Sequence, residues 1–142
     1  MFRTFQQDYE FGKTQESLCL PDLEAFFKTP LIHNQERMAP FDFENDTLAI
    51  EQKSRHCRFA TYKDTMLQYT KILNCSLPAY KDKEKWFVFK FEDGLYGIRY
   101  DPVAFEKYER KSSKIRDRLN IREKEQLRIY IDTEDLVPIA VC

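Results

Sequence analysis

Two periods of apolar residues alternate along the chain, and the switches between them order its elements. In "GKTQESLCLPDLEAFFKT", residues 12–29, Leu18, Leu20, Leu23, Phe26 and Phe27 recur close to helical spacing and predict a helix. Pro21 predicts a kink or a restart there, because proline suits a first turn and not a helix interior. Residues 1–11 carry little signal. "FDFE" and "LAIEQKSR" alternate with period two about Asn45-Asp46 and predict a β-hairpin. "TYKDTMLQYTKIL" predicts a helix over 61–73, with Tyr62, Met66, Tyr69 and Leu73 as its buried stripe and Thr61 with Asp64 placed like a capping box.

"WFVFKF" and "LYGIRY" flank Asp93-Gly94 and predict a second hairpin, with Trp86, Phe87 and Phe89 in the core and Tyr96 and Tyr100 as packing. "DPVAFEKYER" predicts another short helix with Pro102 in its first turn, leading into a basic helix and loop. "QLRIYI", alternating Leu127, Ile129 and Ile131, predicts a strand. The order is α, β-hairpin, α, β-hairpin, α with a basic stretch, β. It predicts one mixed α/β domain over residues 1–142, not a doubly wound one.

Strand alternation sorts the first hairpin into two faces. A two-residue turn at Asn45-Asp46 pairs Glu44 with Thr47, Phe43 with Leu48, Asp42 with Ala49 and Phe41 with Ile50. Phe41, Phe43, Leu48 and Ile50 then share the core face, and Asp42, Glu44, Ala49, Glu51 and Lys53 share the other. Asp42 and Glu51 become diagonal cross-strand neighbours, within reach of a common point. Any even loop length keeps that result.

Composition adds bounds. A chain of 142 residues is long enough for a single core, and 12 Phe and 8 Tyr argue against disorder throughout. The net charge of −1 gives the whole molecule no field toward a polyanion. Charge is nevertheless uneven, since residues 107–124 hold eight Lys/Arg against three Asp/Glu. Cys19, Cys57, Cys75 and Cys142 form no CxxC pair, and no secretory signal is read. Reduced thiols and an intracellular place, cytoplasm or nucleus, are the expectation, without a zinc site. No apolar run approaches the ~20 residues of a membrane span.

Two neighbouring carboxylates raise each other's pKa unless a cation lies between them. A hard divalent ion, Mg²⁺ or Mn²⁺, resolves that repulsion and suits chemistry on phosphates. Lys53, one strand period beyond Glu51, points to the same place and can orient a water or neutralise developing charge. Pro40-Phe41-Asp42, followed by Glu51-Gln52-Lys53, resembles the motif of the PD-(D/E)XK nuclease superfamily, with Phe41 standing between the proline and the aspartate. The resemblance covers about residues 12–100. It implies a restriction-endonuclease-like or Holliday-junction-resolvase-like core: a central mixed β-sheet flanked by helices, in the order helix, strand with Asp, strand with ExK, helix, strand.

The resemblance further implies a metal-dependent nuclease acting on phosphodiester bonds, in DNA as the usual substrate of such relatives, with roles in repair or recombination. Asp42, Glu51 and the Gln52 carbonyl would hold the ion, Lys53 would manage the water, and Glu16 on the first helix would complete the acidic cluster. Gln68 and Lys71 lie roughly opposite the apolar stripe of the following helix, where the family offers polar residues to its site. Arg55 and Arg58 after the ExK strand, with Lys111, Lys114, Arg116 and Arg118 in the basic addition (101–142), are the expected phosphate contacts. Resolvase-like relatives are commonly homodimers, and a small nuclease of this kind would suit a virus or phage. Two other readings stay open: a non-catalytic nucleic-acid- or protein-binding module on the same fold, and a small α/β interaction domain of other ancestry.

Overall fold

The computed structural model describes residues 4–116 and 123–141. A long first helix, α1 (Phe5–Phe27), starts on Thr4, whose hydroxyl accepts from the Gln7 N–H while the Gln7 side chain accepts from the Thr4 N–H. The helix thus begins inside the stretch that carried little signal. It also runs through Pro21 without a restart, and proline there removes only the bond to the carbonyl of exposed Ser17. It ends at Lys28, which adopts the left-handed conformation at φ 57°.

Six strands then build a sheet in the order β1 (Ile32–His33), β2 (Phe43–Glu44), β3 (Leu48–Ser54), β5 (Glu84–Phe91), β6 (Gly94–Arg99), β9 (Val137–Val141). All neighbours are antiparallel except β3 and β5, which run parallel, so the sheet is mixed. Parallel neighbours need a crossover. Here it carries β4 (Asp64–Gln68) and a six-residue helix, α2 (Tyr69–Asn74). With β7 (Glu109–Arg116) and β8 (Glu123–Asp132), β4 forms a second sheet in the order β4-β8-β7.

Two cores follow, one on each face of the larger sheet. On one face, Cys19 and Leu23 of α1 pack with Phe43, Leu48, Ile50, Val88 and Leu95. On the other, Phe41, Ala49, Phe87, Phe89 and Phe91 meet Leu67, Ile72, Phe105, Ile129 and Ile131. The central strands are therefore buried on both sides, which explains the unbroken apolar run Phe87-Val88-Phe89, each 0% exposed.

Several expectations change. Residues 61–73 are not one helix: a short 3-10 turn (Phe59–Thr61) leads to β4, and helix begins only at Tyr69. The supposed buried stripe is largely outside, with Tyr62 66% and Leu73 57% exposed, while Thr65, Leu67 and Ile72 are buried. Thr65 and Leu67 lie opposite Ile131 and Ile129 of β8, so pairing with a strand far along the chain overrides a local helical period. For the same reason the basic stretch from Glu109 to Arg116 is a strand, not helix and loop. "DPVAFEKYER" yields only the 3-10 turn Ala104–Lys107 before it.

The first hairpin is also shifted. Glu44 faces Ala49 and Phe43 faces Ile50, so the two turn residues are Asp46-Thr47 instead of Asn45-Asp46. Asn45 sets this turn: its N–H donates to the Leu48 carbonyl at 3.0 Å, and its Oδ1 accepts from the Thr47 and Leu48 N–H groups at 2.9 Å each. Phe41 leaves its predicted face, because the chain bends at Asp42 ahead of β2, and it packs with Ala49 and Tyr80. The carboxylate face is consequently no solvated surface; most of it lies under the second sheet and α2. In the second hairpin the turn residues are Glu92-Asp93, and Gly94 already pairs with Phe91.

Candidate functional site

The shifted register brings the two carboxylates closer than a diagonal. The Asp42 N–H donates to the Ile50 carbonyl at 2.9 Å, and the Gln52 N–H donates to Asp42 Oδ2 at 2.8 Å. Those bonds bracket Glu51 and hold Asp42 across from it, close enough that the Asp42 charge disfavours ionisation of Glu51. Burial is the main cause of that effect and the Asp42 charge the second, and together they push the Glu51 carboxyl up to about 8. Glu51 Oε2 is buried without a hydrogen-bond partner among the described residues.

Lysines supply the counter-charge. Lys71, on the first turn and a half of α2, places Nζ 2.9 Å from Glu51 Oε1. Burial works against the Lys71 charge, but attraction to Glu51, then Asp42 and Glu16, outweighs it and holds the ammonium above its ordinary range. For the pair as a whole burial still dominates at Glu51, since one ammonium does not offset both desolvation and Asp42. Lys53 lies on the same face of β3 as Glu51, with its side chain exposed. Withdrawal of its ammonium from full hydration, and then nearby Arg55, pull its pKa down, while Glu51 pulls it up.

Glu16 joins through α1. It is buried, accepts from Lys13 Nζ at 3.2 Å, and lies 2.9 Å from His33 Nε2. Lys13 Nζ also stands 4.0 Å from Asp42 Oδ1 and donates to the Asn34 carbonyl at 2.9 Å, tying the two acidic positions together. Burial and then the Asp42 charge raise the Glu16 pKa. The His33 ring stacks on Phe43 with centroids 4.8 Å apart. His33 and Lys13 were not singled out from sequence. Lys13 had a faint signal, three residues before Glu16 on one helix; the lone His33 had none.

The structure brings together Glu16, Asp42, Glu51, Lys53 and Lys71. Gln52 is adjacent in chain but its side chain belongs to the opposite face, where both amide atoms are buried without partners among the described residues. Gln68 closes β4 opposite Arg128, away from the predicted helix face. Arg55 is half-buried and bound to the fold: Nε donates to Thr65 Oγ1 at 3.0 Å and Nη2 donates to the Met66 carbonyl. Arg58 is exposed and lies 3.5 Å from Asp93 Oδ2. Lys111 is exposed on β7, 3.4 Å from Glu109 Oε1 and over the Tyr130 ring. Lys114 and Arg116 belong to the same strand, and Arg118 lies outside the described residues.

Chemically, the cluster is a set of carboxyl oxygens shared between a proton and the Lys71 ammonium. Among the described residues no three His, Cys, Asp or Glu side chains stand close enough together to hold a metal ion. The cysteines Cys57 and Cys75 are free, and burial pushes the Cys75 thiol up to about 12, far from a nucleophile's range. No helix of the described residues is long and apolar enough to cross a membrane. In comparisons with known proteins, no family model, curated protein or solved structure matches the chain.

Proposed function

We propose that the chain is a metal-dependent nuclease of PD-(D/E)XK type that hydrolyses phosphodiester bonds, with DNA as its substrate. The observation that carries the reading is Asp42, just ahead of β2, held beside Glu51 of β3 by its bonds to Ile50 and Gln52, with Glu51 Oε2 buried and unpartnered among the described residues. Lys71 covers Oε1 of Glu51 and nothing among the described residues covers Oε2, so the second oxygen is open to a further cation once the carboxyl is deprotonated. The order helix, strand, ExK strand, crossover with a helix, parallel strand also supports a restriction-endonuclease-like core.

The donor set fits a hard ion that takes few protein oxygens and keeps waters. Asp42 and Glu51 would hold it with the Gln52 carbonyl, and when bound it would supply Lewis acidity and an activated water. Glu51 would have to give up its proton to serve as a ligand through Oε2. Lys71, on Oε1, would be at hand as a donor to phosphate oxygens. Lys53, exposed on the same face, orients the incoming water and offsets charge at the phosphorus. Glu16, held by Lys13 and His33, adds a carboxylate beyond Asp42.

The test is cleavage of branched, single-stranded and duplex DNA with Mg²⁺ or Mn²⁺ by wild type, Glu51→Ala and Lys53→Ala. The expected loss is at least about 100-fold in each variant, the size of removing one positioned acid–base or charge-stabilising group. Cleavage that persists unchanged in both sinks the reading. A second reading has its own observation: Lys71 already occupies Glu51, and among the described residues no third ligand is close. That favours a non-catalytic binding module on the same scaffold, in which Lys71 replaces the ion for good. Calorimetric titration with Mn²⁺ separates the two, because heat lost in Glu51→Ala supports the nuclease and no heat in wild type supports the module.

A further inference from the structure

Past the end of β3, where the larger sheet meets the second one, the surface opens into a pocket of about 340 Å³. That volume is at the low end for small-molecule sites. Its walls include Phe59, Tyr62, Phe91 and Tyr130, with Arg55 and Arg58 beside them. The pocket is separate from the Asp42–Glu51 pair yet connected to it, because Glu51, Lys53 and Arg55 alternate along one side of the chain. Four residues of extended chain place Arg55 about 13 Å from Glu51.

Of the two guanidiniums in this pocket, Arg58 is paired with Asp93, whereas Arg55 makes no ion pair among the described residues, although Asp64 also lines the pocket. Arg55 is bound to neutral acceptors, Thr65 Oγ1 and the Met66 carbonyl, and has no carboxylate partner among the described residues. Its pKa falls to about 10, chiefly because burial disfavours the charge, and Arg128 nearby adds to the effect. Thr65 and Met66 take Nε and Nη2 and hold the half-buried guanidinium in place, which leaves its Nη1 side for an anion such as a phosphate oxygen. The aromatic walls differ in what they still offer. Phe59 is already covered on one face by Tyr96, stacked at 3.9 Å, and Tyr130 lies under Lys111. Tyr62 is 66% exposed and has no ring partner among the described residues.

We infer that this pocket receives one unstacked nucleotide of a single-stranded or branched substrate, its phosphate on Arg55 and Arg58 and its base on the Tyr62 ring. The inference rests on the nucleic-acid reading above and deepens it. A base in a continuous duplex is stacked and paired, so it cannot lie on Tyr62; an unpaired one can. The basic strand β7 borders the pocket through Lys111 and extends the path for the backbone.

The experiment measures binding alone, with EDTA present, by fluorescence anisotropy of end-labelled tetrathymidylate and of the same tetranucleotide with its bases removed. Wild type is expected to bind the intact strand about tenfold tighter than the abasic one, as stacking on one aromatic ring predicts. Tyr62→Ala should erase that difference, and Arg58→Ala should weaken both ligands alike; both residues are exposed, so neither change threatens the fold. Equal affinity for the intact and abasic strands in wild type overturns the inference, as does a preference that survives Tyr62→Ala. Because no cleavage is read, the two proposals fail separately. A chain that cuts DNA without base preference keeps the nuclease and loses the pocket, whereas a base preference without cleavage in any metal does the reverse.

Discussion

At the residue scale, the sequence makes Asp42 and Glu51 legible because strand alternation puts both on one face for any even turn, and the observed turn, Asp46-Thr47, is even. Their depth is not legible, since the cover comes from β4, β8 and α2, elements far along the chain. Lys71 was expected near the site as part of a long helix face, and it is there, but from the first turns of a short helix after a strand. His33 could not be read at all, because only the packing of α1 on β1 gives it Glu16 as a partner. Glu51 carries a measurable consequence. Its carboxyl titrates at about 8 in the fold against 4.5 for the ordinary group, so the folded state binds more protons than the unfolded one between those values. Stability from this residue is therefore fully present below pH 4.5, falls as pH rises through the window, and levels off above about 8. Urea denaturation of wild type and Glu51→Gln at several pH values checks it. The wild-type slope should be steeper by up to about 1.4 kcal/mol per pH unit, and parallel curves would contradict the burial of a protonatable Glu51.

At the element scale, what the sequence conveys best are strands buried on both faces and the long helix; what it conveys worst are pieces that exist only through a partner. Strands β5, β6 and β8 follow directly from aromatic and β-branched runs. The two-residue strand β1 and the late edge strand β9 have no comparable signal and are fixed by the neighbours they pair with. Residues 64–68 contain a helical stripe and a strand alternation at once, and β8 decides between them. The end of α1 offers a local test. Lys28 holds φ 57° and ψ 40°, a conformation that costs an L-residue with a β-carbon about 1 kcal/mol and costs glycine little. Lys28 is exposed, so Lys28→Gly should stabilise the chain by about 0.5–1 kcal/mol, read as a higher urea midpoint at unchanged slope.

At the scale of the whole molecule, α1 and the second sheet cover opposite faces of the larger sheet, and the carboxylate site lies between that sheet and α2. Phe89 occupies the middle of this arrangement, 0% exposed beside Phe91, with the Arg55 guanidinium over its ring. Phe89→Ala should cost about 3–5 kcal/mol, seen as a lowered thermal midpoint, and should also loosen Arg55 from its seat. A mild effect would mean that the two sheets are not held together there. The parallel pairing of β3 with β5 has a kinetic side as well. The β2–β3 hairpin is local and can close early, but β3 cannot meet β5 until the whole stretch from Arg55 to Lys83 has been threaded between them. Glu51 loses its water only at that moment. Refolding near neutral pH should therefore draw a proton from the buffer late rather than early, and a pH-indicator dye in a stopped-flow mixer would time the joining of the two strands.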